Sequence, residues 1–171
     1  IDCNRPLDSA SSIVGSSDGI LVPGNQGLQE HQRTARALEI FAPYHGRITQ
    51  ELDQRSVQPQ APVLIAMHSF TPVFAGETRP WHVGVLYHRD TRLAHALLAA
   101  LNAEPDLVVG DNQPYSISDG SDFAVPVHGE QRGLLHVELE IRQDLIADAQ
   151  GQAQWAQRLA RILPAVLADL T

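Results

Sequence analysis

His136, Glu138 and Glu140 recur at every second residue of Leu134-Leu135-His136-Val137-Glu138-Leu139-Glu140-Ile141-Arg142. On an extended strand that spacing puts all three on one face and Val137, Leu139 and Ile141 on the other. A polar face of this kind makes physical sense where a strand ends in a cleft. Glu140 suits a general base that takes a proton from water, and Glu138 is its competitor on the same face. Arg142 carries a planar fork that suits two oxygens of a bound carboxylate or carbonyl group. A Glu140–Arg142 ion pair is the structural alternative for both residues.

His68 follows the apolar run Val63-Leu64-Ile65-Ala66-Met67. A neutral imidazole there suits a zinc ligand, or a hydrogen-bonding cap on the strand. A catalytic zinc takes about three protein ligands. The chain has no HExxH and no CxxC, and His82, His88 and His95 follow no zinc spacing. Asn4-Arg5 sets an amide beside a guanidinium, a pair suited to a free carboxylate. Cys3 raises the alternative of a thiol nucleophile. Gly110-Asp111-Asn112-Gln113-Pro114-Tyr115 reads as a turn that delivers Tyr115, whose phenol can close over a ligand.

The elements that must position these groups alternate between strand and helix. Strands are expected at Ile1–Arg5, Val63–Met67, Val83–Tyr87, Leu107–Val109 and Leu134–Ile141. Val63–Met67, a continuous apolar run, reads as a buried parallel strand. Helices are expected over Leu28–Ala42, with Pro43 restarting or kinking the helix, over Thr91–Asn102 with Asp90 or Thr91 as cap, and over Ala149–Leu170, bent at Pro164. In the first helix Ala37, Leu38 and Phe41 form one apolar stripe. Pro6–Gly27 and Gly110–Gly133 read as long loops, which in compact domains are usually functional or disordered. The alternation predicts an α/β fold: three layers, a mostly parallel or mixed sheet, and helices on both faces. In such sheets ligands bind beyond the carboxyl ends of strands, where Asn4-Arg5, His68, the Gly110–Tyr115 loop and Glu140-Arg142 are expected to lie.

Composition narrows the classes of function. The chain has 171 residues, a hydrophobic fraction of 43% and a formal charge of −8. That length suits one domain with a sizeable core. The acidic balance argues against nucleic acid as a partner. No apolar run is long enough for a transmembrane helix, so no membrane partner is expected. Cys3 is the single cysteine, so no intrachain disulfide forms, and a reducing cytoplasm is the expected location. Ile1–Arg5 lacks the basic and apolar segments of a secretory leader. The first residue is not Met, so residues upstream are expected. The oligomeric state is not legible.

Five phrases, in this order, resemble the N-formylglutamate amidohydrolase family: Ile1–Arg5, Met67-His68-Ser69-Phe70-Thr71-Pro72, Val83–Tyr87, Gly110–Ser116 and Glu140–Ile146. The resemblance implies a fold and site plan similar to the zinc carboxypeptidases (a carboxypeptidase/phosphorylase-like fold), zinc as cofactor, and a small N-acyl amino acid as substrate. It implies that Asn4 and Arg5 hold the substrate carboxylate, that His68 is a zinc ligand and that Glu140 is the base. Tyr115 is a looser match. The family pattern also has a leading segment with the other zinc ligands, a His and an acidic residue. These are expected upstream of residue 1, with residues 1–171 a single amidohydrolase-like domain lacking its N-terminal part. Two other readings stay open: a metal-free binder of small carboxylates using Arg5 and Arg142, and a cysteine amidase using Cys3.

Overall fold

The computed structural model describes residues 1–170. In chain order the elements are β1 (Ser16–Ser17), β2 (Ile20–Leu21), α1 (Glu30–Arg36), α2 (Ala42–Ser56), β3 (Val63–Phe70), β4 (Val73–Phe74), β5 (Glu77–Thr78), β6 (Val83–Leu86), α3 (Arg92–Asn102), β7 (Val109–Asp111), β8 (Leu135–Arg142) and α4 (Ala149–Ala168). The main sheet has strand order β3-β8-β6-β7, and two short ribbons pair β1 with β2 and β4 with β5. β3 and β8 are parallel, in a register that sets His68 opposite Glu140. β6 runs antiparallel to β8 and parallel to β7. The sheet is therefore mixed.

The alternation of β8 decides what lies on each face. Val137, Leu139 and Ile141 pack with Val83 and Val85 into the main core, covered by α3 and α4. α3 is rich in Leu and Ala, and its buried Leu93, Leu97 and Leu101 fall at four-residue intervals. Asp90 accepts a hydrogen bond from the Arg92 N–H, one of the donors a helix start leaves unpaired. α4 is capped by Asp148, which accepts from the Gly151 N–H at 2.8 Å. Its stripe Trp155, Leu159, Ile162 and Val166 is buried along the whole helix. Pro164 lies inside that helix, which runs on to Ala168. Burial of the stripe offsets the hydrogen bond that proline removes.

The opposite face of β8 carries His136, Glu138 and Glu140, all buried. A π-helical segment, Ala124–Gly129, packs there against β3 and β8. Gly129 lies so close to His136 that a Cβ would sit 2.5 Å from the ring. Among the described residues no helix is long and apolar enough to cross a membrane.

Several elements differ from the sequence expectation. Ile1–Arg5 is a turn, not a strand, because Asp2 Oδ1 accepts from the Asn4 N–H at 2.8 Å and curls the chain. β3 is longer than expected and lies at the sheet edge, so it is only partly buried and Met67 is 50% exposed. The helix after Leu28 starts at Glu30 and passes through a π-helical turn, Ala37–Phe41, into α2. The wider turn falls just before Pro43, which has no N–H for the regular ladder. Phe41 is buried while Leu38 is exposed, so the expected stripe breaks at that turn. β7 starts two residues late and keeps Gly110 and Asp111 in the sheet, and the second loop contains helical turns.

β6 and β7 run against β8, so the chain after β7 does not leave at the carboxyl ends of β3 and β8. It turns back at Asn112, with φ of 48°, where the Asn112 N–H donates to Val85 O and its side-chain oxygen accepts from the Tyr87 N–H. Gln113 then crosses the sheet over Gly84, where an added Cβ would lie 1.9 Å from the Gln113 carbonyl oxygen. The neighbour is backbone and cannot move aside cheaply. Gly84→Ala is expected to lower stability by roughly 1–3 kcal/mol in denaturant titration. A loss below about 0.5 kcal/mol, the range of neutral surface changes, would contradict this account of the crossing.

Candidate active site

A cleft of about 520 Å³ opens on the polar face of β8. It is lined by Asp2, Asn4 and Arg5 from the first turn, His68 from β3, Pro114 and Tyr115 from the returning loop, Asp122, and Glu138 and Glu140 from β8. His68, Glu138 and Glu140 each offer a ligand atom within 4.8 Å of the others. The His68 Nε2 lies 3.7 Å from Glu138 Oε2. Of the residues singled out from sequence, the cleft gathers Asn4, Arg5, His68, Tyr115 and Glu140.

Arg142 is the exception. Its guanidinium binds Asp144 through Nε at 2.8 Å and Nη2 at 3.2 Å, and donates to the carbonyls of Pro80 and Trp81. The strand ends at Arg142, and the 3₁₀ turn Gln143–Ile146 sets Asp144 beside it. Arg142 therefore neither pairs with Glu140 nor lines the cleft, against both sequence readings. His82 accepts from the Val108 N–H, His88 faces Glu130 and His95 meets Tyr87 edge-to-face; none joins the cleft.

Two groups carried no usable signal in sequence: Asp122, which lines the cleft, and Arg79, which stands beside it. Asp122 is buried, and accepts from Asn4 Nδ2 at 3.2 Å and from Ser121 Oγ at 2.5 Å. Its surroundings, Ser118-Asp119-Gly120-Ser121, read as an ordinary turn. Arg79 donates to the Tyr115 hydroxyl at 2.8 Å from a segment without any motif. Glu138, visible in the alternation as a competitor, turns out to be a full partner.

Asn4 ties these parts together. Its amide nitrogen donates to Asp122 and Glu138, both at 3.2 Å, and its oxygen accepts from the N–H groups of Ala124 and Phe123. Arg5 donates to Ser121 O and lies 3.5 Å from carboxylate oxygens of both Asp2 and Asp122. The turn itself is held by buried imidazoles. His45 Nε2 is 2.7 Å from Cys3 O, and His45 Nδ1 is 2.8 Å from His128 Nε2. A carbonyl only accepts, so His45 is protonated on Nε2 and its Nδ1 accepts from His128. Burial, with His45 and Arg132 nearby, pushes His128 down to about 4, which keeps this chain of donors neutral.

Glu138 is pushed up to about 8 by burial first, then by the charges of Asp122 and Glu140; the Asn4 hydrogen bond and Arg5 oppose the rise. Burial pushes Glu140 up to about 7, against the pull of Arg79 and Arg5. Burial lowers His68, which favours the neutral, lone-pair-bearing imidazole. One oxygen of Glu140, Oε2, is buried without a hydrogen-bond partner. An unpaired carboxylate oxygen beside a neutral imidazole and a second carboxylate suits a divalent cation of the zinc type.

The cysteine reading finds no support in the geometry. Burial raises the Cys3 thiol, and His45 meets the Cys3 carbonyl rather than the sulfur. A larger apolar groove of about 700 Å³ lies apart, between α2 and the start of β3. Its charged groups, Arg47, Glu51 and Arg55, pair with one another.

The shifted carboxylate makes a stability prediction for protein kept in chelator. A carboxyl group raised on folding contributes stability that is present below its unfolded value, about 4.5, and lost as pH rises through about 8. Glu138→Gln is therefore expected to be more stable than the parent at pH 8–9 and to lose that advantage near pH 4.5. Denaturant titrations across this range that ran parallel would contradict the burial of a shifted carboxyl group.

The comparisons with known proteins agree with this geometry. A search of curated proteins gave no match. The crystal structure of a gene product from Agrobacterium tumefaciens superposes with a TM-score of 0.93 at 37% sequence identity, over 99% of this chain and 67% of that one. The model of the N-formylglutamate amidohydrolase family matches residues 1–147, which span the first turn, His68, the returning loop and the Glu138–Glu140 strand. The chain belongs to the N-formylglutamate amidohydrolase family.

Proposed function

We propose that the cleft hydrolyses the amide bond of an N-acyl amino acid, N-formylglutamate or a close relative, with zinc as cofactor. The observation that carries this reading is the convergence of His68, Glu138 and Glu140 beside Arg5. His68 and Glu138 would hold the metal, together with ligands that the family pattern expects upstream of residue 1. Bound zinc would polarise the scissile carbonyl and make water acidic enough to ionise near pH 7.

Glu140 takes the proton from the attacking water and passes it to the leaving nitrogen. Glu138 has an oxygen committed to Asn4, whereas Glu140 has one with no partner, so Glu140 is the freer base. A carboxyl group that titrates near 7 is matched to proton transfer in both directions at neutral pH. Arg5 binds the substrate α-carboxylate and brings the amide to the base. Asn4 gives its amide hydrogens to Asp122 and Glu138, so it helps by fixing the turn and the carboxylate. Tyr115, 39% exposed on the returning loop, covers the substrate.

The same reading assigns residues 1–171 to one amidohydrolase-like domain on a carboxypeptidase-like plan, and the single free Cys3 fits the cytoplasm. Glu140→Gln is expected to lower kcat by about 10²- to 10⁴-fold with little change in KM. Chelation should abolish turnover and zinc restore it, and Cys3→Ala should keep the parental rate. A protein that neither holds zinc nor turns over any N-acyl amino acid after zinc is added would overturn the proposal. It would leave the metal-free carboxylate binder as the better description.

A further inference from the structure

Among the described residues, Arg79 is the most deeply buried guanidinium, at 9% exposure, and the reaction above does not use it. It follows the ribbon β4–β5, and its own N–H closes that ribbon onto Pro72 O at 2.8 Å. We propose that Arg79, together with Tyr115, forms a subsite for a second carboxylate, the one on the side chain of an acidic N-acyl amino acid. The proposal rests on the reading of the cleft as an N-acyl amino acid site and adds the side-chain specificity.

The guanidinium is built in rather than adrift. Its carbon lies 4.6 Å from the centre of the Phe74 ring and 4.8 Å from that of Tyr115, so two aromatic faces hold the plane of the fork. One Nη donates to the Tyr115 hydroxyl at 2.8 Å, and the other donors have no acceptor among the described side chains. Among the described residues no carboxylate lies within ion-pair distance of it, unlike Arg5, which stands between Asp2 and Asp122. The remaining Arg79 donors are not among the buried unpaired atoms, so they stay open to solvent and within reach of an anion.

Its position behind Tyr115, beside the cleft, selects which anion. Tyr115 lines the cleft, and the Arg79 charge reaches Glu140 strongly enough to oppose the effect of burial there. The cleft wall carries Asp2, Asp122, Glu138 and Glu140, which repel a doubly charged ligand. With the α-carboxylate on Arg5, Arg79 is the neighbouring cation that, among the described residues, has no carboxylate partner and can accept a second. The pre-set fork matches a carboxylate with two oxygens better than a neutral amide.

The test compares N-formyl-L-glutamate with N-formyl-L-glutamine, which is isosteric and neutral, in the zinc-loaded protein. In Arg79→Gln, kcat/KM is expected to fall for both substrates, because Glu140 loses the pull of Arg79, and to fall on the order of 100-fold further for the glutamate substrate than for the glutamine substrate. Calorimetric binding of L-glutamate against L-glutamine should lose its preference in the same variant. Arg79→Lys, which keeps the charge and occupies less space, should retain a preference for glutamate, and it decides the matter if Arg79→Gln does not fold. Equal losses on both substrates, or a parent without preference, would overturn the subsite while leaving the amidohydrolase reading intact. No turnover in the parent, with a glutamate preference that Arg79→Gln abolishes, would overturn the amidohydrolase reading and keep the subsite.

Discussion

Glu138 and Glu140 are 2% and 4% exposed, two residues apart on one face of a central strand. Water would solvate both carboxylates, and the sheet face does not. Their positions are not free to change. Val137, Leu139 and Ile141 lock β8 to α3 and α4, and a strand has a period of two, so committing one face to the core commits the other to the carboxyl groups. The molecule meets the cost locally. Asn4 donates to Glu138, Arg5 and Arg79 supply positive charge, and both groups move toward the protonated form. A structure that sets acids in such a place holds them ready to take up a proton or a cation.

The surrounding backbone serves that arrangement. The first turn reaches Glu138 only because Asn4 is pinned, by Ala124 and Phe123 on one side and by the His128–His45–Cys3 chain on the other. The returning loop reaches Glu140 only because Gly84 and Gly110 leave room for Gln113. Glu140 and Gly84 are register partners, so the glycine opens the face just beside the base. Orientation at this scale decides effective rates in intramolecular proton transfer, and it comes here from packed elements rather than from a mobile surface.

The parts of this site that were legible in sequence were the ones with a periodic or lexical trace. Alternation gave Glu138 and Glu140 their common face, and the apolar run before His68 gave its strand. What stayed hidden depended on topology. Nothing local shows that β6 and β7 run against β8, so the loop to Tyr115 was expected at a carboxyl end and instead doubles back across the face. Arg142 continues the polar alternation and looked like a partner of Glu140, but the turn after it brings Asp144 closer. Asp122 and Arg79 lie in stretches whose neighbours carry no pattern. They become part of the site only through contacts with Asn4 and Tyr115, far away in sequence.

The charges of the cleft set how the proposed reaction would respond to acid. The chain carries −8, and the cleft wall adds its own carboxylates, so an anionic substrate would be admitted by local cations rather than by the overall field. In the proposed site a proton and a divalent cation would compete for Glu138, while a proton alone would block Glu140 as base. Metal binding there would release a proton, and metal affinity would weaken as pH falls through the range where Glu138 becomes protonated. His68 acts in the same direction but yields later, since burial lowers it and delays its protonation. The carboxyl groups, raised to about 8 and about 7, are then the first to give way on acidification. It follows that an acid limb of activity set by metal loss and one set by protonation of the base arise from neighbouring groups on a single strand. Excess zinc separates them: it moves a limb caused by metal loss to lower pH, and leaves unmoved a limb caused by protonation of Glu140 in the loaded site.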